Sequence, residues 1–247
     1  MKPFYLFVLS VFFLWGNAAN AAEKTHWGYT GHGAPAHWGD LSENYALCKT
    51  GKHQSPVNLS GTVKANLDAI TFSYRPSPLQ VVNNGHTIQV NYQKGSFITV
   101  DGRDFALLQF HFHSPSENRI NGNAFPMEAH FVHADKEGNL AVVAVMLTSG
   151  KVHATLDDVW KHMPASAGGK ASPAGAEINA MDLLPDDKRY YRFSGSLTTP
   201  PCTEGVRWFV MKAPAMVSGK QADQFRSTMG QHTNRPVQPV NARVVLE

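Results

Sequence analysis

Three histidines define the chemistry this chain could do. His111 and His113 flank a single phenylalanine, and His130 follows seventeen residues after His113. In an extended segment residues two apart share a face. Over Leu107–His113 the side chains of Gln109, His111 and His113 should therefore project together while Phe110 and Phe112 face the other way. Two imidazoles at that spacing can reach one tetrahedral metal ion, and a third from a neighbouring strand makes a three-nitrogen site. Three neutral ligands leave the charge of a zinc ion intact and a fourth position open to solvent, as in catalytic rather than structural zinc. An H-x-H triplet alone is weak evidence, because it arises by chance and in other metal-binding barrels.

The surroundings of the three rings strengthen the reading. Alternation over Met127–His133 puts Glu128, His130 and Val132 on one face and His133 on the other, so His133 reads as structural. Gln109 precedes His111 by two residues, and Glu128 precedes His130 by two. Each can accept the N–H of its histidine's second nitrogen and so fix tautomer and ring orientation. An all-imidazole tetrahedral set favours zinc, one ion per chain.

Strands must carry these residues, and the rest of the chain supplies them. Short β-rich runs broken by turn residues predict strands at Ile70–Tyr74, Leu79–Val82, Thr87–Gln93, Phe97–Val100, Phe105–His113, Met127–His133, Leu140–Leu147, Tyr190–Ser196 and Val206–Lys212. Leu140–Leu147 is continuously apolar, as expected of a strand buried on both faces. Helical patterning is confined to Leu156–His162 and Ser218–Met229, with a serine as N-cap candidate for the second. His26–Ser60 and Ala165–Ala176 read as loops. The predicted fold class is mainly β, with short peripheral helices.

Met1-Lys2, the apolar run Phe4–Trp15 and the small residues Ala18–Ala22 have the layout of a secretory signal, with Ala19-x-Ala21 as a cleavage site. The competing reading is a membrane anchor, for which the run is too short. The expected organisation is a signal peptide at 1–21 and a single domain at 22–247, exported to the periplasm or secreted. Without the signal, 21 Lys and Arg stand against 19 Asp and Glu. That balance, with no dense basic run, argues against a nucleic-acid partner. Two cysteines in an exported chain favour a Cys48–Cys202 disulfide over two buried thiols.

Ser116-Glu117-Asn118-x-Ile120, then Phe125 and Glu128-Ala129-His130-Phe131-Val132, resembles the signature stretch of the α-class carbonic anhydrases in their bacterial, exported form. Ser196-Leu197-Thr198-Thr199-Pro200-Pro201 is similar to a second family block, and His26-Trp27-Gly28-Tyr29 to the family's start. Asn83-Asn84-Gly85-His86, Asn234-Arg235-Pro236 and Asn241-Ala242-Arg243 also match, so the resemblance runs from about His26 to Arg243. It implies a large, mostly antiparallel twisted central sheet with zinc in a conical cleft. The implied reaction is reversible hydration of carbon dioxide to bicarbonate and a proton. In this family zinc lowers the pKa of bound water to ~7, a general property of carbonic anhydrase rather than one read from these residues.

The resemblance also distributes roles. Thr198 would accept from the attacking group, donate to Glu117, and offer its N–H to a substrate oxygen. Val132, Val142, Leu197 and Trp208, with Thr198 and Thr199, would hold the substrate. His86 would shuttle the released proton, and Tyr29, Asn84, Gln89 and Thr199 would line the watery side of the cleft. The Asn241 carbonyl would orient His113, and Pro200-Pro201 would hold a cis peptide. The expected partners are small molecules, carbon dioxide and bicarbonate, with no membrane anchor; a homodimer is compatible with the reading. A carbonic-anhydrase-like binding module without catalysis is the alternative, but such members typically lack zinc histidines that are all present here.

Overall fold

Apolar runs separated by turn residues pair into one eleven-stranded sheet. The structure is a computed structural model describing residues 26–247, so the signal expected at 1–21 lies outside the described residues. In chain order its strands are β1 (Thr71–Ser73), β2 (Gln80–Asn83), β3 (Ile88–Asn91), β4 (Phe97–Val100), β5 (Arg103–His113) and β6 (Met127–Ala134). There follow β7 (Leu140–Ser149), β8 (Lys170–Ala171), β9 (Tyr190–Ser196), β10 (Glu204–Met211) and β11 (Ala215–Val217). The sheet runs β8-β2-β3-β5-β6-β7-β10-β9, while β4 pairs with β5, β1 with β4, and β11 with β7. Pairing is antiparallel except where β7 meets β10 and β11. The mostly antiparallel sheet thus carries a parallel seam.

Central β7 is buried on both faces, as its unbroken apolar run requires. One face of the sheet contributes Phe110, Phe112, Phe131, Val143 and Val145 to the larger core. Helices α1 (Ala154–Lys161) and α2 (Gly219–Met229) cover that face. Trp160 of α1 meets Phe112 edge-on, with ring centroids 4.9 Å apart, and stacks on Phe225 of α2. Ser218 caps α2 reciprocally with Gln221, and Gly230 ends the helix in the left-handed conformation at φ 67. The second face contributes Val142, Ala144, Trp208 and Val210 to a smaller core.

A bulge in β5 separates the two faces correctly. Register with β6 shifts between Leu107 and Gln109, and Leu108 is left 46% exposed. Uninterrupted alternation would have put Leu107 on the face of Gln109 and His111. With one extra residue Leu107 joins Phe110 and Phe112 in the larger core instead. The expected alternation over Leu107–His113 therefore holds only from Gln109 onward.

Two segments read as loops contain short elements. Lys170–Ala171 pairs with Val81–Val82 as the edge strand β8, and the stretch before Ser60 contains the one-turn helices Trp38–Leu41 and Leu47–Thr50. The Cys48–Cys202 disulfide is present, with Cα atoms 5.0 Å apart across 154 residues of sequence. It ties the Leu47–Thr50 helix to the end of the Thr198–Cys202 loop.

Candidate metal centre

Strand register builds the centre as a grid on the second face of the sheet. On antiparallel β5 and β6, His111 lies directly opposite His130, and His113 opposite Glu128. Gln89 of β3 flanks His111 on one side, and Ala144 of β7 flanks His130 on the other. One row along, Val132 meets Val142, which in turn meets Trp208 on β10. The imidazoles therefore have a polar margin toward β3 and an apolar margin toward β7 and β10. Trp208 packs edge-on to His130 with ring centroids 5.0 Å apart.

The ligand-competent nitrogens of His111, His113 and His130 lie within 4.8 Å of one another. Partners on the opposite ring nitrogens decide which atom each histidine offers. His111 Nδ1 is 2.8 Å from Gln109 Oε1, and His113 Nδ1 is 2.5 Å from the Thr233 carbonyl oxygen, leaving Nε2 of both free. His130 is reversed: its Nε2 is 2.9 Å from Glu128 Oε1, leaving Nδ1. His113 Nε2 is a buried polar atom with no protein partner. Burial, reinforced by the neighbouring rings His113 and His130, holds His111 well below its ordinary pKa. Burial also lowers His113, against the opposing pull of the Thr233 carbonyl. Three convergent imidazoles, with burial disfavouring charge on His111 and His113, suit a zinc ion.

Gln109 thus bonds His111 as expected and Glu128 stands beside the His130 ring as expected, but the partner of His113 is corrected. Thr233, not Asn241, supplies the carbonyl. Asn241 has φ 55, and its side chain donates to the Lys52 carbonyl at 2.7 Å. Thr233 is held over the site by a second and third bond: its N–H donates to Ser114 O at 3.0 Å, and its hydroxyl accepts from Ser114 N–H at 3.1 Å.

Glu128 does more than orient His130. Its Oε2 accepts from the N–H groups of Glu117 and Asn118 at 2.7 and 2.8 Å, and its Oε1 accepts from Asn118 Nδ2 at 2.7 Å. Burial alone would raise this carboxyl, but His130 and the Asn118 bonds outweigh it and hold it below the usual range. Asn118 in turn accepts from Val57 N–H at 3.0 Å. Its organising role was not foreseen, although it stood in the matched Ser116-Glu117-Asn118 block.

Glu117 lies at the centre, fully buried. Its Oε1 accepts from Arg235 N–H at 2.8 Å, while its Oε2 is 3.4 Å from His113 Nε2. Burial pushes the carboxyl up to about 7, although His130, the Arg235 amide and the Thr198 hydroxyl pull it down. Thr198 is 6% exposed, in the loop that the disulfide closes. Cys202 N–H donates to Thr199 O at 2.9 Å within that loop, and Pro200-Pro201 is cis. Val132, Val142, Leu197 and Trp208 belong to one apolar cluster beside the rings.

On the polar side, Tyr29, Asn84, His86, Gln89 and Thr199 line one cleft with His111 and His113. Asn84 Oδ1 accepts from the N–H groups of His86 and Thr87, both at 2.9 Å, which shapes the turn carrying His86. The His86 ring lies flat on Trp27, with centroids 3.7 Å apart and planes 8° apart. Burial lowers its pKa, with a smaller effect from His26. Burial and the Glu117 charge raise Tyr29 well above its ordinary value.

A family profile described as eukaryotic-type carbonic anhydrase matches residues 33–247. A carbonic anhydrase of Neisseria gonorrhoeae is 53% identical over 232 residues, covering 94% of this chain and 91% of that protein. The alpha-carbonic anhydrase of Thermovibrio ammonificans, solved with the inhibitor sulfanilamide, superposes with a TM-score of 0.89 at 49% identity, covering 91% of this chain and 100% of that one. A hyperthermostable carbonic anhydrase from a hydrothermal vent chimney gives 0.87 at 53% identity, covering 90% of this chain and 99% of that one. With profile, sequence relatives and superposed folds in agreement, the chain belongs to the eukaryotic-type, or alpha, carbonic anhydrase family.

Proposed function

We propose that this carbonic anhydrase hydrates carbon dioxide with Glu117 and Thr198 as orienting pair and His86 as proton carrier, around zinc on His111, His113 and His130. The observation that carries the reading is the grid: three converging imidazoles bounded by polar side chains on one margin and apolar ones on the other. Bound zinc supplies a hydroxide nucleophile at neutral pH.

Glu117 has one oxygen saturated by the Arg235 N–H, which leaves the other to accept from the Thr198 hydroxyl. Thr198 then has only lone pairs to present to the attacking group, so it accepts a hydrogen and fixes that group's orientation. An ion without a hydrogen to donate is disfavoured there. The ionised form of Glu117 is the one that accepts, and the charge of a zinc ion bound by the three imidazoles would favour it. The Thr198 N–H stabilises charge developing on a substrate oxygen. Val132, Val142, Leu197 and Trp208 offer carbon dioxide a surface with no hydrogen-bonding competitor.

Hydration adds the elements of water across one C=O bond, giving bicarbonate and one proton. That proton must leave the site, and His86 stands in the polar cleft as its acceptor. An imidazole releases a proton readily near neutral pH. Export to the periplasm or medium belongs to the same reading. It is supported by the disulfide, which forms in oxidising compartments, and by the signal-like layout of residues 1–21.

Thr198→Ala tests the orienting role. Zinc content should stay at one per chain while kcat/KM for hydration falls by roughly 10²–10³, the scale of a lost transition-state hydrogen bond. Wild-type turnover in that variant would remove Thr198 from the mechanism.

A further inference from the structure

Arg235 is a buried cation that the chemistry above does not use. It is 1% exposed. Its guanidinium is bound by neutral oxygens: Nη1 donates to Gln54 Oε1 at 2.8 Å and to Ser55 O at 2.9 Å, and Nη2 donates to Cys48 O at 2.8 Å. The group lies over the Trp38 ring, 5.6 Å from its centroid. Burying a charge without a directly paired carboxylate is costly. Burial pulls its pKa down to about 10, with the Glu117 charge acting in the opposite direction, so it remains protonated at neutral pH.

The backbone on either side of this side chain is the backbone that holds the site. Arg235 N–H donates to Glu117 Oε1 at 2.8 Å, and two residues earlier the Thr233 carbonyl takes His113 Nδ1 at 2.5 Å. Residues 233–235 lie in neither helix nor strand. Apart from the two Thr233–Ser114 bonds, it is the guanidinium that fastens them, through Cys48 O, Gln54 Oε1 and Ser55 O, to the segment the disulfide anchors in turn.

We infer that Arg235 is a positioning residue for hydration: clamped by Cys48 O, Gln54 Oε1 and Ser55 O, it fixes the 233–235 backbone that orients both Glu117 and His113. The inference rests on the Glu117–Thr198 reading given above. It means that the tightness of the metal centre is set partly from the disulfide segment, through one side chain and without contact with substrate.

The test compares Arg235→Gln with Arg243→Gln in the zinc-loaded enzyme. Arg243 also spends its guanidinium on carbonyls, those of Val240, Ser194 and Pro239, but its backbone holds no site residue. Three quantities are read: kcat/KM, its pH profile, and the rate of zinc release into a chelator. In Arg235→Gln, kcat/KM should fall at least tenfold and zinc release should quicken at least tenfold. The rising limb of the profile should move to higher pH, because losing a buried positive charge makes ionisation in the site harder. Arg243→Gln should lower Tm and leave all three unchanged. An Arg235→Gln enzyme that loses only Tm overturns the inference.

Should Arg235→Gln not fold, Gln54→Met removes one clamp oxygen and keeps the arginine. Smaller changes in kcat/KM and in zinc release are then expected, with the pH profile unmoved because the charge is kept, and wild-type values of the first two would overturn the proposal. Glu117→Gln separates the two levels. If it retains wild-type kcat/KM, the underlying reading fails whatever Arg235 does. If it is impaired while Arg235→Gln behaves as wild type, only the positioning role fails.

Discussion

His86 shows what one residue can contribute without touching the metal ligands. Its ring is stacked on Trp27 at 3.7 Å and stands in the polar cleft that reaches His111 and His113. An imidazole there can take the product proton and pass it to buffer. His86→Ala should lower kcat at low buffer concentration while leaving kcat/KM nearly unchanged, and added imidazole should restore the loss. Stopped-flow assays across a buffer series check this. A kcat that follows buffer in the same way in variant and wild type would mean that the proton leaves by another route. The residue scale is also where sequence reading failed once. Gln109 and Glu128 were legible as histidine partners because a side chain two positions earlier is fixed by strand geometry. The partner of His113 is a backbone carbonyl, which any residue can supply, so nothing in the residue types distinguished Thr233 from Asn241.

At the scale of elements, β6 presents different chemistry on its two faces. His130 faces the metal centre, and three residues later His133 is fully buried on the other side. His133 Nδ1 donates to Ala141 O at 3.2 Å, and its Nε2 accepts from the Tyr74 hydroxyl at 2.7 Å. Burial brings its pKa down to about 4. Unfolded histidine titrates near ~6.5, so between those values the unfolded chain binds more protons than the folded one. The stabilising contribution of neutral His133 is therefore complete above ~6.5 and is withdrawn as pH falls toward 4. It amounts to about 3 kcal/mol. Urea unfolding at pH 7.5 and 4.5 should show this loss in the wild type and a flatter dependence in His133→Asn. Equal pH dependence in the two proteins would assign the acid sensitivity elsewhere. The long strands were legible because alternation or an unbroken apolar run marked each one. The two-residue strand β8 and the one-turn helices before Ser60 were not, because so few residues carry no periodicity and tertiary contacts decide them. The Leu108 bulge escaped notice because one inserted residue looks like ordinary sequence until the partner strand is known.

For the whole molecule, the chain closes on itself twice around the site. The disulfide joins the first turns of the domain to the Thr198 loop, and Arg235 joins those turns to Glu117. Reducing Cys48–Cys202 should lower stability by up to about 5 kcal/mol in the chain-entropy model, since the closed loop is long. Urea midpoints with and without reductant measure the change, and identical midpoints would show that the bond does not hold the fold. No helix among the described residues is long and apolar enough to cross a membrane. The most direct measurement of the whole account is metal content and carbon dioxide hydration on one preparation, before chelation, after it, and after zinc is restored. One zinc per chain is predicted, with turnover disappearing on removal and returning on replacement. Hydration that persists in the metal-free protein, or one-to-one zinc retained by His130→Ala, would contradict it.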